Sequence, residues 1–363
     1  KKNRHGIVLA KSISAKKYGI VTGEPVVNAL KKCPGLEIVP PEHDYYSEQS
    51  HKLMELLKSF TPDIEQVSVD ECYMDYTGIR NKFSNEIEAA YTIKNKVKEQ
   101  FGFTVNVGIS KMASDFEKPD KVHTLYKEEI QEKMWKLPVE DLFMAGKSSV
   151  NVLHKLGIFT IGQLAKSPVT ILDAHLKSHG RVLWEYANGI DESVVNTKRE
   201  DLKGVGNSTT LPKDLDNIVE INRILLRLSE KVSGRLREEK QKAKTVAVEI
   251  KYNDFTKCSK QITVDIATDS GTEIYNISKN LFKGLWSGRP VRLLGVRTAN
   301  LIEEDEPEQL TFMDIDSWNK EENNISREKM KKLDKALDLI NAKYGSGAVK
   351  RASLLNENRT KNK

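Results

Sequence analysis

Two acidic residues stand side by side at Asp70-Glu71, between the β-like runs Val67/Val69 and 73–76. On an unbroken strand, adjacent side chains point to opposite faces, and the pair could not share an ion. At a hairpin bend the two carboxylates can converge. Two-metal phosphoryl transfer needs that arrangement, because divalent ions clamp the attacking and leaving oxygens. Mg2+ suits such a pair, since it takes one or two carboxylates and completes its shell with substrate phosphates and water. The same spacing also describes two solvated acids in a turn, and spacing alone does not decide between the readings.

Other metal or redox patterns are weaker. Cys33, Cys72 and Cys258 are odd in number and far apart, which indicates neither a disulfide framework nor a zinc site. His175 and His179 are the only close pair among seven histidines, with no Cys or third ligand nearby, and read as a solvated helix face.

The chain has 363 residues, 38% hydrophobic and 30% charged, which fits a water-soluble protein of two to four domains. No apolar run approaches the roughly 20 residues a membrane span needs. The basic start Lys1-Lys2-Asn3-Arg4-His5 is followed by a stretch too short and polar for a signal peptide. A reducing, cytoplasmic setting without membrane partners is expected. The net charge of +6 is modest, but its placement is informative. Residues 205–303 carry 17 Lys/Arg against 12 Asp/Glu, whereas 304–363 balance at 12 against 12. The basic excess therefore belongs to a folded region, which makes nucleic acid a plausible partner.

The elements that must position these residues follow from periodicity. A short strand is expected at 7–10, then a Lys-rich helix at 14–18 ending at Gly19. A helix at 48–60 places Leu53, Leu56, Leu57 and Phe60 on one face. The β-rich 66–76 carries the acidic pair. A helix at 85–101 has Ile87, Ala90, Tyr91, Lys94 and Val97 at helical spacing, and 104–109 alternates as a half-buried strand. Residues 138–187 read as all helical, and the polar 197–203 as a linker. Helices at 218–240 and 273–286 alternate with strands at 244–251, 259–266 and 291–302, giving two helices against about four strands. A last amphipathic helix spans 327–344, with Leu333, Ala336, Leu337, Ile340 and Tyr344 expected to pack on the protein itself.

The residues around the acids add a family resemblance. Val67-Ser68-Val69-Asp70-Glu71-Cys72-Tyr73-Met74-Asp75 resembles the Ser-Ile-Asp-Glu signature of Y-family DNA polymerases. Val107-Gly108-Ile109-Ser110, Met112-Ala113-Ser114-Asp115 and Lys118-Pro119-Asp120 resemble that family's palm. Ala15-Lys16-Lys17-Tyr18-Gly19-Ile20 is similar to its fingers helix, and Leu156-Gly157-Ile158 with Thr160-Ile161-Gly162-Gln163-Leu164-Ala165 to its thumb. Asn207-Ser208-Thr209-Thr210-Leu211-Pro212, Tyr252-Asn253-Asp254-Phe255-Thr256 and Gly288-Arg289-Pro290-Val291-Arg292-Leu293-Leu294-Gly295-Val296 resemble its little finger. These matches run in order along nearly the whole chain and look closest to the bacterial UV-damage-repair, UmuC-like branch.

The resemblance implies an α+β right-hand polymerase fold of palm, fingers and helical thumb, with an added α/β little-finger domain. Fingers would occupy 1–41, palm 42–127, thumb 128–196, linker 197–205, little finger 206–303, and a tail 304–363. It further implies that Asp70 and Glu71 are catalytic metal ligands for two Mg2+ ions, which Mn2+ can replace, with Glu71 near the primer 3′-OH. Lys118 and Lys16 would contact the incoming dNTP, Lys16 keeping the charge but not the fork of the Arg common in relatives. Ile13 stands where many relatives have a tyrosine. A third carboxylate and an aromatic steric gate are expected on a first palm strand ahead of Lys1. Between Ser110 and Lys111, relatives have about half a dozen further residues.

Residues 138–156 read as helix, turn, helix, with Ala145-Gly146-Lys147 in the turn and Ser148 capping the second helix. A helix-hairpin-helix of this form offers backbone N–H groups to a DNA phosphate, so Gly146 and Lys147 are expected at DNA, with Lys198 and Arg199 adding backbone contacts. Relatives often have a second glycine where this chain has Met144. Glu308-Gln309-Leu310-Thr311-Phe312-Met313 resembles the peptide with which bacterial polymerases dock the sliding clamp. Leu310, Phe312 and Met313 would be its apolar anchors and Gln309 its orienting group.

The expected function is error-prone translesion synthesis: template-directed addition of dNTPs to a primer 3′ end, acting on primer-template DNA in the nucleoid. The sliding clamp is the expected partner, with RecA or accessory subunits as further candidates. No segment resembles a proofreading exonuclease. The rival reading is a catalytically incomplete homologue that binds DNA and the clamp. A helix-hairpin-helix nuclease fits poorly, because the acids do not lie within a nuclease-like cluster.

Overall fold

The computed structural model describes residues 6–198, 201–305, 321–345 and 348–349. The chain divides into two compact units, one of Val39–Arg199 and the other of Lys1–Ile38 with Glu200–Lys363.

At the start of the second of these units, the expected strand at 7–10 is reduced to one bridge, Ile7 to Pro25. Helix α1 (Ile13–Lys16) is a single turn whose N-cap, Ser12, accepts from Ala15 N through its hydroxyl at 3.1 Å. Helix α2 (Val26–Lys32) follows. Ala15, Ile20 and Ala29 form their small buried cluster.

The unit of Val39–Arg199 begins with helix α3 (His43–Lys58), where the expected Leu53 and Leu57 are buried together with Met54, and Leu56 and Phe60 pack partly buried against them. Strands β1 (Ile64–Gln66) and β2 (Cys72–Met74) pair antiparallel, with Gln66 opposite Cys72. Helix α4 (Glu86–Phe101) is capped by Asn85, whose Oδ1 accepts from Glu88 N at 2.9 Å, and stops at left-handed Gly102. Its buried stripe is Ala89, Ala90, Ile93, Lys94 and Val97, while Ile87 and Tyr91 are exposed. Leu53, Leu57, Ile64, Ile93 and Val97 meet in one core. The strand expected at 104–109 shortens to β3 (Val107–Gly108), which pairs parallel with β4 (Val122–His123).

Beyond β4, helices α5 (Lys147–Lys155), α6 (Ile161–Ala165), α7 (Val169–Leu176) and α8 (Ser178–Ala187) form a second core. Leu153, Ile161, Leu164, Leu172 and Leu183 are fully buried there. The expected first helix of the helix-turn-helix is only a 3-10 turn, Val139–Asp141. Pro138 precedes that turn in an extended conformation, and no amphipathic stretch follows it long enough to close further turns.

After the linker, strand β5 (Gly204–Leu215), helix α9 (Ile218–Glu238), strands β6 (Gln241–Tyr252) and β7 (Lys257–Thr268), helix α10 (Gly271–Leu285) and strand β8 (Val291–Glu303) build an antiparallel sheet of order β5-β8-β6-β7. Val246, Val248 and Ile250 on one face pack with Ile221, Leu225, Leu228, Ile274 and Phe282 of the two helices. The opposite face carries Ala247, Glu249, Gly295 and Arg297, and bears no helix of this sheet-and-helix core.

Helix α11 (Glu321–Tyr344) packs on the protein itself as expected, but not through its apolar residues. Its acidic side meets α9: Asp338 accepts from Arg237 Nε at 2.6 Å and Nη2 at 3.0 Å, and the buried Asp334 lies 3.7 Å from Arg237 Nη1. Leu333, Ile340 and Tyr344 stay exposed. The reason is electrostatic. Arg237 is itself largely buried and donates to Asp269 O at 2.7 Å, so the carboxylates complete its remaining donors. No described helix is long and apolar enough to cross a membrane.

Candidate catalytic site

The acidic pair lies in the loop of the β1–β2 hairpin. The Glu71 carbonyl accepts from both Val67 N (3.0 Å) and Ser68 N (3.1 Å), closing a loop over 67–71. Inside it, Ser68 Oγ donates to Asp70 Oδ1 at 2.7 Å and accepts from Asp70 N at 3.3 Å, which fixes the Asp70 carboxylate. Gln66 Nε2 donates to Ser68 O at 3.1 Å and to Ser50 Oγ of α3 at 3.2 Å, tying the loop to the helix. The bend removes the strand alternation that would have sent the two acids to opposite faces. Both are solvent-accessible.

Glu71 does not stand alone. Lys111 Nζ donates to Glu71 Oε1 at 2.8 Å and lies 5.7 Å from the Phe143 ring centre. Phe143 N donates to Met112 Sδ, and its ring leans on Tyr186 at 6.0 Å. Lys111 was invisible to motif reading, although it follows directly on the shortened Ser110–Lys111 junction. On β2, burial holds the Tyr73 phenol above its ordinary range, against the pull of Lys111. Burial also pushes the Cys72 thiol up to about 11, which keeps it protonated and unreactive at neutral pH.

Asp70 and Glu71 offer an accessible, all-oxygen donor set. It suits a hard divalent cation that takes its other ligands from phosphates and water. Among the described residues no group of three His, Cys, Asp or Glu could hold a metal by itself, so the pair does not make an all-protein cage.

Lys118 lies exposed on the loop between β3 and β4, before Pro119 and left-handed Asp120. Asp120 accepts from Lys94 Nζ at 2.7 Å, and Lys98 Nζ is 3.6 Å away. The Lys94 interaction comes first among the causes that hold the Asp120 carboxyl below its ordinary range. Lys16, exposed at the end of α1, belongs to the other unit.

Gly146, not Ser148, is the N-cap of α5, with no side chain closing the helix end. Ser148 falls inside the first turn, because the chain already enters the helix at Lys147. Met144, two residues earlier, has a φ of 68°, a left-handed conformation that glycine adopts without cost. Lys147 and Lys198 are exposed, whereas Arg199 and the motif Gln309, Leu310, Phe312 and Met313 lie outside the described residues.

On the open sheet face, Gly206 pairs with Arg297 and Ser208 with Gly295. A Cβ on Gly206 would come within 3.2 Å of Arg297 Cγ, so the glycine makes room for that side chain. Nearby, Arg292 and Lys251 both lie over the exposed Phe255 ring, at 4.4 and 4.8 Å. Arg297 on this face, beside Glu249, and Lys251 and Arg292 nearby bring positive charge to this side of the sheet, of which the sequence showed only the basic excess.

Comparison with known proteins agrees with this reading of the fold. A family model described as the impB/mucB/samB family matches residues 1–114, and one for that family's C-terminal domain matches 202–312. The DNA polymerase IV of Clostridium acetobutylicum is 45% identical over 360 residues, covering 98% of this chain and 88% of the relative. That of Alkaliphilus oremlandii is 38% identical over 363 residues, covering 97% and 90%. Among solved structures, the Y-family DNA polymerase chimera Dbh-Dpo4(243-245)-Dbh shares the fold at a TM-score of 0.72 and 23% identity, covering 84% of this chain and 89% of that one. The names of these relatives do not confirm the UmuC-like branch. With two family models in order and relatives this similar along nearly its whole length, the chain belongs to the impB/mucB/samB family of Y-family, DNA-directed DNA polymerases.

Proposed function

We propose that the protein extends primer 3′ ends across damaged template positions by metal-dependent nucleotidyl transfer at Asp70 and Glu71. The observation that carries this reading is the hairpin loop that turns both carboxylates out of strand alternation in a chain of this family. The ion class that fits the pair is Mg2+, with Mn2+ as a substitute. When bound, such ions neutralise charge on phosphate oxygens and favour ionisation of the 3′-OH. Asp70, oriented by Ser68, and Glu71, beside the primer end, hold that charge in place. Within the family, the relatives' names favour a polymerase IV-type enzyme over the UmuC-like branch.

The remaining roles follow from charge and geometry. Lys118 and Lys16 contact the triphosphate of the incoming dNTP as point charges. The uncapped start of α5 at Gly146 and Lys147 receives a DNA phosphate. Lys198, Arg199 and the sheet face carrying Arg297 add backbone contacts that read no sequence. Gln309, Leu310, Phe312 and Met313 dock the sliding clamp, and RecA or accessory subunits are candidate further partners. Domain roles run as fingers at 1–41, palm at 42–127, thumb at 128–196, linker at 197–205, little finger at 206–303 and tail at 304–363.

One observation favours the rival reading of a DNA- and clamp-binding homologue without catalysis: Glu71 is engaged by Lys111. Primer extension by the full-length protein, with Mg2+ and dNTPs on a template carrying a bulky lesion, separates the two. Products extended past the lesion support the enzyme. Binding to the primed template with no nucleotide added supports the rival.

A further inference from the structure

Lys94 is the only buried lysine among the described residues, 8% exposed, on the helix face that otherwise buries Ala90, Ile93 and Val97. A lone ammonium at such a position is costly unless it is paired and hydrogen-bonded. Its partner comes from outside the helix. Lys94 Nζ donates to Asp120 Oδ1 at 2.7 Å and to Asp120 O at 3.3 Å, engaging side chain and backbone of one residue. Lys98, one turn further along α4, approaches Oδ2 at 3.6 Å. Asp120 has a φ of 62°, and short polar residues such as Asp tolerate that left-handed turn best.

The next residue is tied as well. Lys121 N donates to Asn106 Oδ1 at 3.1 Å, and Lys121 O accepts from Val107 N at 3.0 Å as β4 joins β3. The loop carrying Lys118 is thus pinned two residues beyond that lysine by an ion pair whose inner half is buried. Glu117, on the same loop, pairs with Lys121 at 3.7 Å.

We infer that Lys94 is a positioning residue for the incoming nucleotide. By gripping Asp120 it fixes the backbone that presents Lys118 to the triphosphate. The inference rests on the proposed role of Lys118. Lys94 touches neither substrate nor metal in this account, and its effect is confined to nucleotide binding.

Steady-state primer extension by the full-length protein tests this with K94M, K94R, D120N, K118A and the K94M/K118A double variant. Methionine keeps the stem of Lys94 without the charge, and replacing a buried pair by apolar packing is often tolerated. Asp120 lies at the surface end of the pair, so D120N removes the carboxylate charge that holds Lys94 without a core substitution, leaving only neutral acceptors.

K94M and D120N are expected to raise the KM for dNTP roughly tenfold, with kcat within about twofold, the signature of lost uniform binding. K94R restores most of the affinity, and the double variant is no worse than K118A alone, because both act through one contact. A K94M effect that adds fully to that of K118A overturns the inference, as does a K118A defect that K94M and D120N do not share. If K118A itself leaves the KM unchanged, the role of Lys118 falls, and the inference with it.

Discussion

Lys111 Nζ sits 2.8 Å from Glu71 Oε1, so the carboxylate expected to hold a divalent cation is already engaged by an ammonium. The pair is half-exposed and spans two loops, so its contribution to stability is below about 1 kcal/mol. On the proposed role of Glu71 its functional weight is greater, because a bound ion and the lysine would compete for the same oxygen. K111M is therefore expected to lower the half-saturating Mg2+ concentration for primer extension by about threefold, with unfolding nearly unchanged. A Mg2+ titration of the two proteins measures it. A higher Mg2+ requirement in K111M would show that Lys111 supports the site and does not compete there.

Met144 pays for its left-handed backbone without a compensating hydrogen bond from its side chain, and is largely exposed. Glycine at this position removes a strain of about 1 kcal/mol. M144G is expected to shift the urea midpoint upward with unchanged slope. It should also leave the start of α5 in place, so affinity for primed template is expected to hold or improve in a fluorescence anisotropy assay.

Arg237 binds α11 through Asp334 and Asp338. Removing the guanidinium takes a cation away from Asp334, which is 7% exposed, and from the nearby Asp269. R237A is expected to destabilise the unit containing α9 by about 2–3 kcal/mol, because a buried ion pair loses one partner. D338A removes only the outer partner and should cost less. Chemical unfolding of the three proteins orders them.

The Lys94–Asp120 pair also makes a pH prediction. The Asp120 carboxyl titrates below its ordinary range in the folded protein. A depressed carboxylate contributes stability above the unfolded pKa of about 4 and loses it as pH falls through the folded value. Wild-type protein should thus exceed D120N in stability at neutral pH, and the difference should shrink as pH drops below about 4. Unfolding midpoints taken across that range check the sign. A difference that grows on acidification would contradict it.

These residues also mark how far the sequence could be read. Helices α3, α4, α9 and α10 were legible because apolar residues recur at helical spacing and Asn85, Asn217 and Gly102 punctuate their ends. Strands β6, β7 and β8 were legible from alternation. Strand β5 was not placed from the sequence, where residues 207–212 entered only as a resemblance to the little finger. It is rich in Gly, Ser and Thr, sits at the sheet edge, and its pairing shifts between Thr210 and Leu215, where Pro212 cannot donate. The acidic pair could be placed at a bend, and the structure puts it in a hairpin loop. Its neighbour Lys111 could not be foreseen, since the contact joins residues forty positions apart. Lys94 was visible at core spacing on α4, but nothing local in the sequence identifies Asp120 as its partner. The packing face of α11 was misjudged because amphipathicity ranks apolar faces and ignores a buried arginine waiting for carboxylates.

The most direct measurement is primer extension by the full-length protein with Mg2+ and dNTPs, comparing wild type with D70A and E71A. Wild type is expected to extend the primer, and both variants to lose extension by at least about 100-fold while still binding primed template. Extension by D70A and E71A at the wild-type rate would contradict the assignment of catalysis to this hairpin.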